Sequence, residues 1–164
     1  MNVTLEHMSI EDIIEYVDRL PGVLILRPQP GDGTPNIAWG DAFFYYAPDG
    51  VVPNGQPFAT IVTKDYPDDT RSRLDTPGTF RVNIHAGATE FAAVTGHNPR
   101  MQPTRDVDPS TPDLLLAHPV YGHLAWVAVV NPAERTTDRV LELLASAYRA
   151  ARARHDHRID PAST

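Results

Sequence analysis

HPVYGHLAWVAVVNPAERTTDRVLELLASAYRAARAR, residues 118–154, decides the fold class, because it spells an apolar strand, a turn and a long amphipathic helix in succession. The run from Leu124 to Val130 predicts a buried strand, and Asn131-Pro132 predicts the turn that ends it. Beyond that turn Val140, Leu144, Ala147, Tyr148 and Ala151 recur at helical spacing and define the inner side of a helix. Residues 155–164 are expected to fray.

Upstream, Ser9-Ile10-Glu11-Asp12 reads as a helix start, in which the Ser9 hydroxyl accepts from an early N–H and Asp12 answers it; residues 1–8 are expected to be flexible. Pro21-Gly22 stops this helix and Val23 to Leu26 begins a strand. Ile37 to Tyr46, Phe58 to Thr63 and Thr79 to His85 read as further strands, separated by the turn signals Pro48-Asp49-Gly50, Asn54-Gly55 and Pro77-Gly78. Gly87 to Val94 predicts a short helix closed by Gly96, residues 97–112 a proline-rich surface loop, and Thr111-Pro112-Asp113 one helical turn holding Leu114 to Leu116. The order predicts a single α+β domain over 9–154: a mostly antiparallel sheet of about five to six strands, with the N-terminal and long C-terminal helices packed on one face.

The 164 residues suit one domain, which buries roughly 70% of its unfolded surface without a metal or disulfide to hold it. Cysteine is absent, which excludes disulfides, thiolate catalysis and every Cys-containing zinc site, and makes the cytoplasm the expected compartment. No basic-flanked apolar opening and no run of about 20 apolar residues occurs, so neither export nor a membrane span is expected. The net charge of −7 would repel a phosphate backbone, so nucleic acid is not an expected partner. Six Arg against four acids give 134–158 a local +2, which cations complementing the end of a helix explain. There is no GxxxxGK, Gly31-Asp32-Gly33 lacks the third glycine of a dinucleotide site, and no Ser stands in a nucleophile elbow; no cofactor is expected.

Two resemblances follow from these segments. The opening IEDIIEYVDRLPGV and the ending LAWVAVVNPAERTTDRVLELLASAYRAARAR resemble the two ends of the MmcQ/YjbR-like domains, small α+β proteins with a CyaY-like fold. More of the chain, through GQPFATIVTKDYPDDTRSRLDTPGTFRVNIHAG and HPVYGHLAWVAVVNP, resembles the actinobacterial family DUF6194. The resemblance implies the fold and a soluble bacterial home and carries no mechanism. It also implies a glycine where this chain has His85, so a role for His85 would not extend to the family. The MmcQ/YjbR name has been linked with DNA binding through shape, and fold analogy is a weak warrant for function.

Chemistry rests on three clusters. Arg81, Asn83 and His85 alternate along one strand and project from one sheet face; a cation, an amide and a group titrating near neutrality suit anion binding and proton transfer, against the competing reading of a solvated sheet face. His118, Tyr121 and His123 stand within six residues, but Pro119 and Gly122 prevent the helical spacing of a zinc motif, and no metal is expected. Lys64 and Tyr66 end a strand and lead into an acidic loop bearing Arg71 and Arg73, whose expected use is local salt bridging, with clamping of a carboxylate or phosphate by the two arginines as the alternative. Trp39 and Phe43 to Tyr46 supply either core or the lining of a pocket.

Together these predict a domain that binds a small anionic or aromatic molecule. Arg81 and Asn83 would hold it, with His118, Tyr121, Trp126, Arg73 and Tyr66 as further contacts, and His85, His123 and Lys64 are the candidates for acid–base catalysis. The rival reading is a homodimerising interaction module that buries Phe44 and Tyr46, and DNA binding is the third.

Overall fold

The computed structural model describes residues 8–103 and 106–159, which form one antiparallel sheet with helices on one side. In chain order the elements are α1 (Ile10–Asp18), β1 (Val23–Leu26), β2 (Ala42–Tyr46), β3 (Ala59–Val62), β4 (Arg81–His85), α2 (Gly87–Thr95), β5 (Leu116–Ala117), β6 (Trp126–Val130) and α3 (Thr137–Ile159). The six strands lie in the order β1-β2-β3-β4-β6-β5, so β4 sits inside the sheet between β3 and β6. Among the described residues no helix is long and apolar enough to cross a membrane.

Local chemistry accounts for most of the element ends. Ser9 accepts from the Asp12 N–H at 3.0 Å while Asp12 accepts from the Ser9 N–H at 3.1 Å, the reciprocal cap expected of that sequence. Gly96 closes α2 at φ 81°, a value that suits glycine. Strand β2 begins only at Ala42, later than the aromatic run from Ile37 predicts, because residues 36–38 form a 3₁₀ turn and Gly40 takes φ 90°. Leu114 to Leu116 do not form the expected helical turn. Asp113 instead adopts φ 54°, donates its N–H to the Val130 carbonyl at 2.7 Å, and leads into the edge strand β5. Its carboxylate accepts from the N–H groups of Ala133, Arg135 and Thr136, satisfying donors that the turn before α3 would otherwise leave open. Helix α3 runs to Ile159, so residues 155–159 of the expected frayed tail are helical; residues 160–164 lie outside the described residues, as do 1–7. Met8, expected to be flexible, is buried and donates its N–H to the Pro132 carbonyl at 3.0 Å.

Alternate strand residues Phe44, Ile61, Val82, Ile84, Val127 and Val129 share a core with Ile13 and Val17 of α1, Phe91 of α2, and Val140, Leu143, Leu144 and Tyr148 of α3. All three helices therefore cover one sheet face. The other face carries Phe43, Thr60, Val62, Arg81, Asn83 and Trp126, and it is not open to water over β4: Arg81 is 1% and Asn83 4% exposed. The solvated-face reading of this strand is overturned because the 64–75 loop and the 118–121 turn fold back over it.

Candidate functional site

Arg81 is the hub of this second face. Its Nε donates to Asn83 Oδ1 at 2.7 Å; Nη1 donates to Asp69 Oδ1 and Ser72 Oγ, each at 2.9 Å; Nη2 donates to Asp69 Oδ2 at 2.5 Å and lies 3.0 Å from His118 Nε2. A guanidinium has five N–H groups; four reach acceptors on Asn83, Asp69 and Ser72, and the fifth faces the His118 ring. Arg81 is thus not free to clamp a ligand anion, as the alternation of β4 suggested. Its anion is Asp69, supplied by the chain itself. Burial alone would raise the Asp69 pKa, but the hydrogen bonds and charge of Arg81 outweigh it and hold the carboxyl below the usual carboxylate range.

His118 is 5% exposed and wedged among donors: the Val120 and Tyr121 N–H groups both reach Nδ1 at 3.0 Å, and Arg81 faces Nε2. With Nδ1 accepting, the one proton of the neutral ring sits on Nε2, which lies 3.8 Å from Asp69 Oδ2, and a second proton on Nδ1 would meet the two N–H donors aimed at it. Burial first, and then the Arg81 charge, push its pKa down to about 3, so the imidazole is neutral at physiological pH.

A second carboxylate organises the rim. Asp41, 1% exposed, accepts from the Thr63 N–H at 2.9 Å, the Thr63 hydroxyl at 2.8 Å, Lys64 Nζ at 2.8 Å and the Tyr66 hydroxyl. Burial, and then Asp41, raise the Tyr66 pKa well above the ordinary phenol value. Lys64 is bound to a buried partner and is not a base awaiting a substrate.

Beside the hub lies a cavity of about 590 Å³, walled by Phe43, Tyr45, Tyr66, Tyr121 and Trp126 and floored by Thr60 and Asn83. Its walls come from β2, β6, the 64–75 loop and the 118–121 turn, and the register explains the set: Phe43 faces Thr60 across β2 and β3, and Thr60 faces Asn83 across β3 and β4. Thr60 Oγ1 accepts from Asn83 Nδ2 at 3.0 Å, and its hydroxyl proton remains as a donor on the cavity floor. Asp68, Asp69 and Arg81 are the charged side chains at this cavity, a sum of −1 with His118 neutral.

The predicted site residues therefore divide. Arg81, Asn83, His118, Tyr121, Trp126 and Tyr66 come together at this cavity. His85 does not: its ring stacks on Trp126 with centroids 5.4 Å apart and faces a neighbouring cavity, where burial and then the Arg154 charge lower its pKa. His123 is exposed in a 3₁₀ turn, and Arg73, at φ 57°, borders a separate shallow groove with Arg71 and Asp108. The catalytic set His85, His123 and Lys64 is thus dispersed over three surroundings. Among the described residues no group of three or more His, Asp or Glu is placed to hold a metal ion. Phe44 is fully buried, and Tyr46, half-buried, packs edge-on against Tyr148 and His155.

Sequence reasoning missed Asp69, Ser72 and Thr60. Asp69 belongs to a loop whose acids were paired with the nearby Arg71 and Arg73, and nothing in its spacing points to β4. Thr60 could have been found, since period-two alternation places it opposite Asn83.

The model of a family of unknown function, DUF6194, matches residues 8–160. No curated protein and no solved structure matches the chain.

Proposed function

The chain belongs to DUF6194, a family of unknown function, and from that premise we propose that it is a binding domain whose ligand places an uncharged aromatic group in the cavity between β2, β6 and the 118–121 turn. One observation carries the reading: five aromatic side chains from four separate segments converge on a hollow of about 590 Å³ with two polar groups at its floor. Concave, mostly apolar sites with a few placed polar groups are what small organic ligands prefer. The surrounding charge supports a neutral or cationic group there, because Arg81 is neutralised by Asp69 while Asp68 adds a negative charge at the rim. Catalysis has less support than binding: the nearby titratable side chains are held by internal partners, His118 by Arg81 and Lys64 by Asp41. The helix, antiparallel sheet and long final helix also suit a distant relation to MmcQ/YjbR-like domains, but a net charge of −7 gives DNA binding by that analogy no support.

The chain has two tryptophans, and Trp126 lines the cavity, so a Trp39→Phe background leaves a reporter at the site. Titration with 4-nitrobenzyl alcohol is expected to quench it saturably, with a Kd on the order of 1 mM for a ligand of this size. Tyr121, 47% exposed, can be truncated without disturbing the core, and Tyr121→Ala should weaken this binding about tenfold. Non-saturable quenching, or quenching indifferent to Tyr121→Ala, would sink the reading.

A further inference from the structure

A second cavity, of about 490 Å³, adjoins the first, and its charge is opposite. Arg154 and Arg158 of α3 line it together with His85 and the 53–58 segment, and no Asp or Glu is among its lining residues. In a chain of net charge −7 this is an unusual concentration of one sign. The two arginines stand one helical turn apart, where like charges repel each other. Among the described residues neither is paired with a carboxylate, whereas Arg152, two residues before the first of them, pairs with Asp156 at 3.8 Å. Complementing the end of α3 accounts for arginine in its last turns on any side, but not for two of them meeting an imidazole over a hollow.

The two cavities are neighbours in a specific sense. Tyr45, Gly55, Gln56 and Pro57 line both, and the Trp126 ring of the first stacks on the His85 ring of the second at 5.4 Å. We propose that they are two halves of one site, and that the ligand is an aromatic anion, its ring among Tyr45, Tyr121 and Trp126 and its carboxylate or phosphate between Arg154 and Arg158. Anion recognition, which the sequence assigned to Arg81, then passes to α3. Arginine presents paired N–H groups that match either oxyanion, and no acid of the second cavity competes for them. This inference rests on the aromatic reading of the first cavity and extends it.

The test uses the Trp39→Phe protein and a series sharing one ring: 4-nitrobenzyl alcohol, 4-nitrophenylacetate and 4-nitrobenzyl phosphate, with acetate and inorganic phosphate alone. An anionic member is expected to bind about tenfold more tightly than the alcohol, as a charge-assisted contact allows. Arg154→Gln/Arg158→Gln should abolish that advantage and leave the alcohol's affinity unchanged; both side chains are exposed, so the fold tolerates the change. Preference for 4-nitrophenylacetate identifies a carboxylate, and preference for 4-nitrobenzyl phosphate a phosphate; either outcome supports the site. Equal binding of the alcohol and both anions overturns this inference and leaves the aromatic site standing. An advantage that survives the double substitution also overturns it, as does binding of inorganic phosphate as tight as that of the aromatic phosphate. Failure of the alcohol itself to bind counts instead against the first cavity.

Discussion

Replacing Arg81 by Met removes the charge that ties the second sheet face together while keeping much of the side chain's volume. The guanidinium makes five polar contacts at 2.5–3.0 Å to four residues, and it is 1% exposed. Its loss strands the Asp69 carboxylate, whose side chain is 14% exposed, and takes a partner from Ser72 and from Asn83. Breaking a buried pair from one side costs about 3–5 kcal/mol. Set against a domain stability of about 5–15 kcal/mol, that is a large share of the total, and the variant stays folded wherever the wild type exceeds about 5 kcal/mol. For a domain of this size the cost corresponds to a fall in Tm of roughly 6–20 °C. Urea unfolding followed by far-UV circular dichroism is the assay, because an unchanged m-value separates lost stability from altered compactness. The double variant Arg81→Met/Asp69→Leu removes both charges and should lose less than the sum of the two single changes, by about 1–3 kcal/mol. A single-variant loss below about 1 kcal/mol, or additive singles, would refute the account of Arg81 as a hub.

The other two predictions concern protonation and capping. His118 is neutral when folded, with a pKa of about 3 against an ordinary 6.5, so its contribution is fully present above pH 6.5 and is lost as pH falls towards 3, by up to about 1.4 kcal/mol per pH unit. Unfolding free energies between pH 6.5 and 4.5 should therefore slope less steeply in His118→Gln than in the wild type, and equal slopes would contradict the burial argument. Ser9→Ala should cost about 0.5–2 kcal/mol by deleting one half of the reciprocal cap on α1, as read by the urea midpoint; no shift would mean that tertiary packing alone holds that end.

Local chemistry was legible in the sequence where it decided the structure. The cap at Ser9, the stop at Gly96 and the inner stripe of α3 depend on neighbours within a turn, and spacing reads such neighbours directly. Alternation along β4 correctly grouped Arg81 with Asn83 on one side, and it could not say what covers that side. Its partner Asp69 comes from a loop 12 residues upstream whose own arginines look like better mates on paper. Likewise the aromatic run of β2 divides by parity: Phe44 and Tyr46 pass into the helical core, and Phe43 and Tyr45 reach the cavity. Arg154 and Arg158 carry an honest signal of helix-end charge, and only the packing of α3 beside the 53–58 segment gives them a second possible use.

The 64–75 loop has little regular structure, yet Asp65, Asp69, Ser72 and Leu74 are each fastened by side-chain hydrogen bonds, and Leu74 is 1% exposed. The bonded amides of Asp65, Tyr66, Asp69 and Leu74 should exchange with deuterium more slowly than those of the exposed residues between them. An engineer looking for a place to graft an epitope would do better at Gly31 to Gly33, whose backbone carries an exposed turn with open space around it.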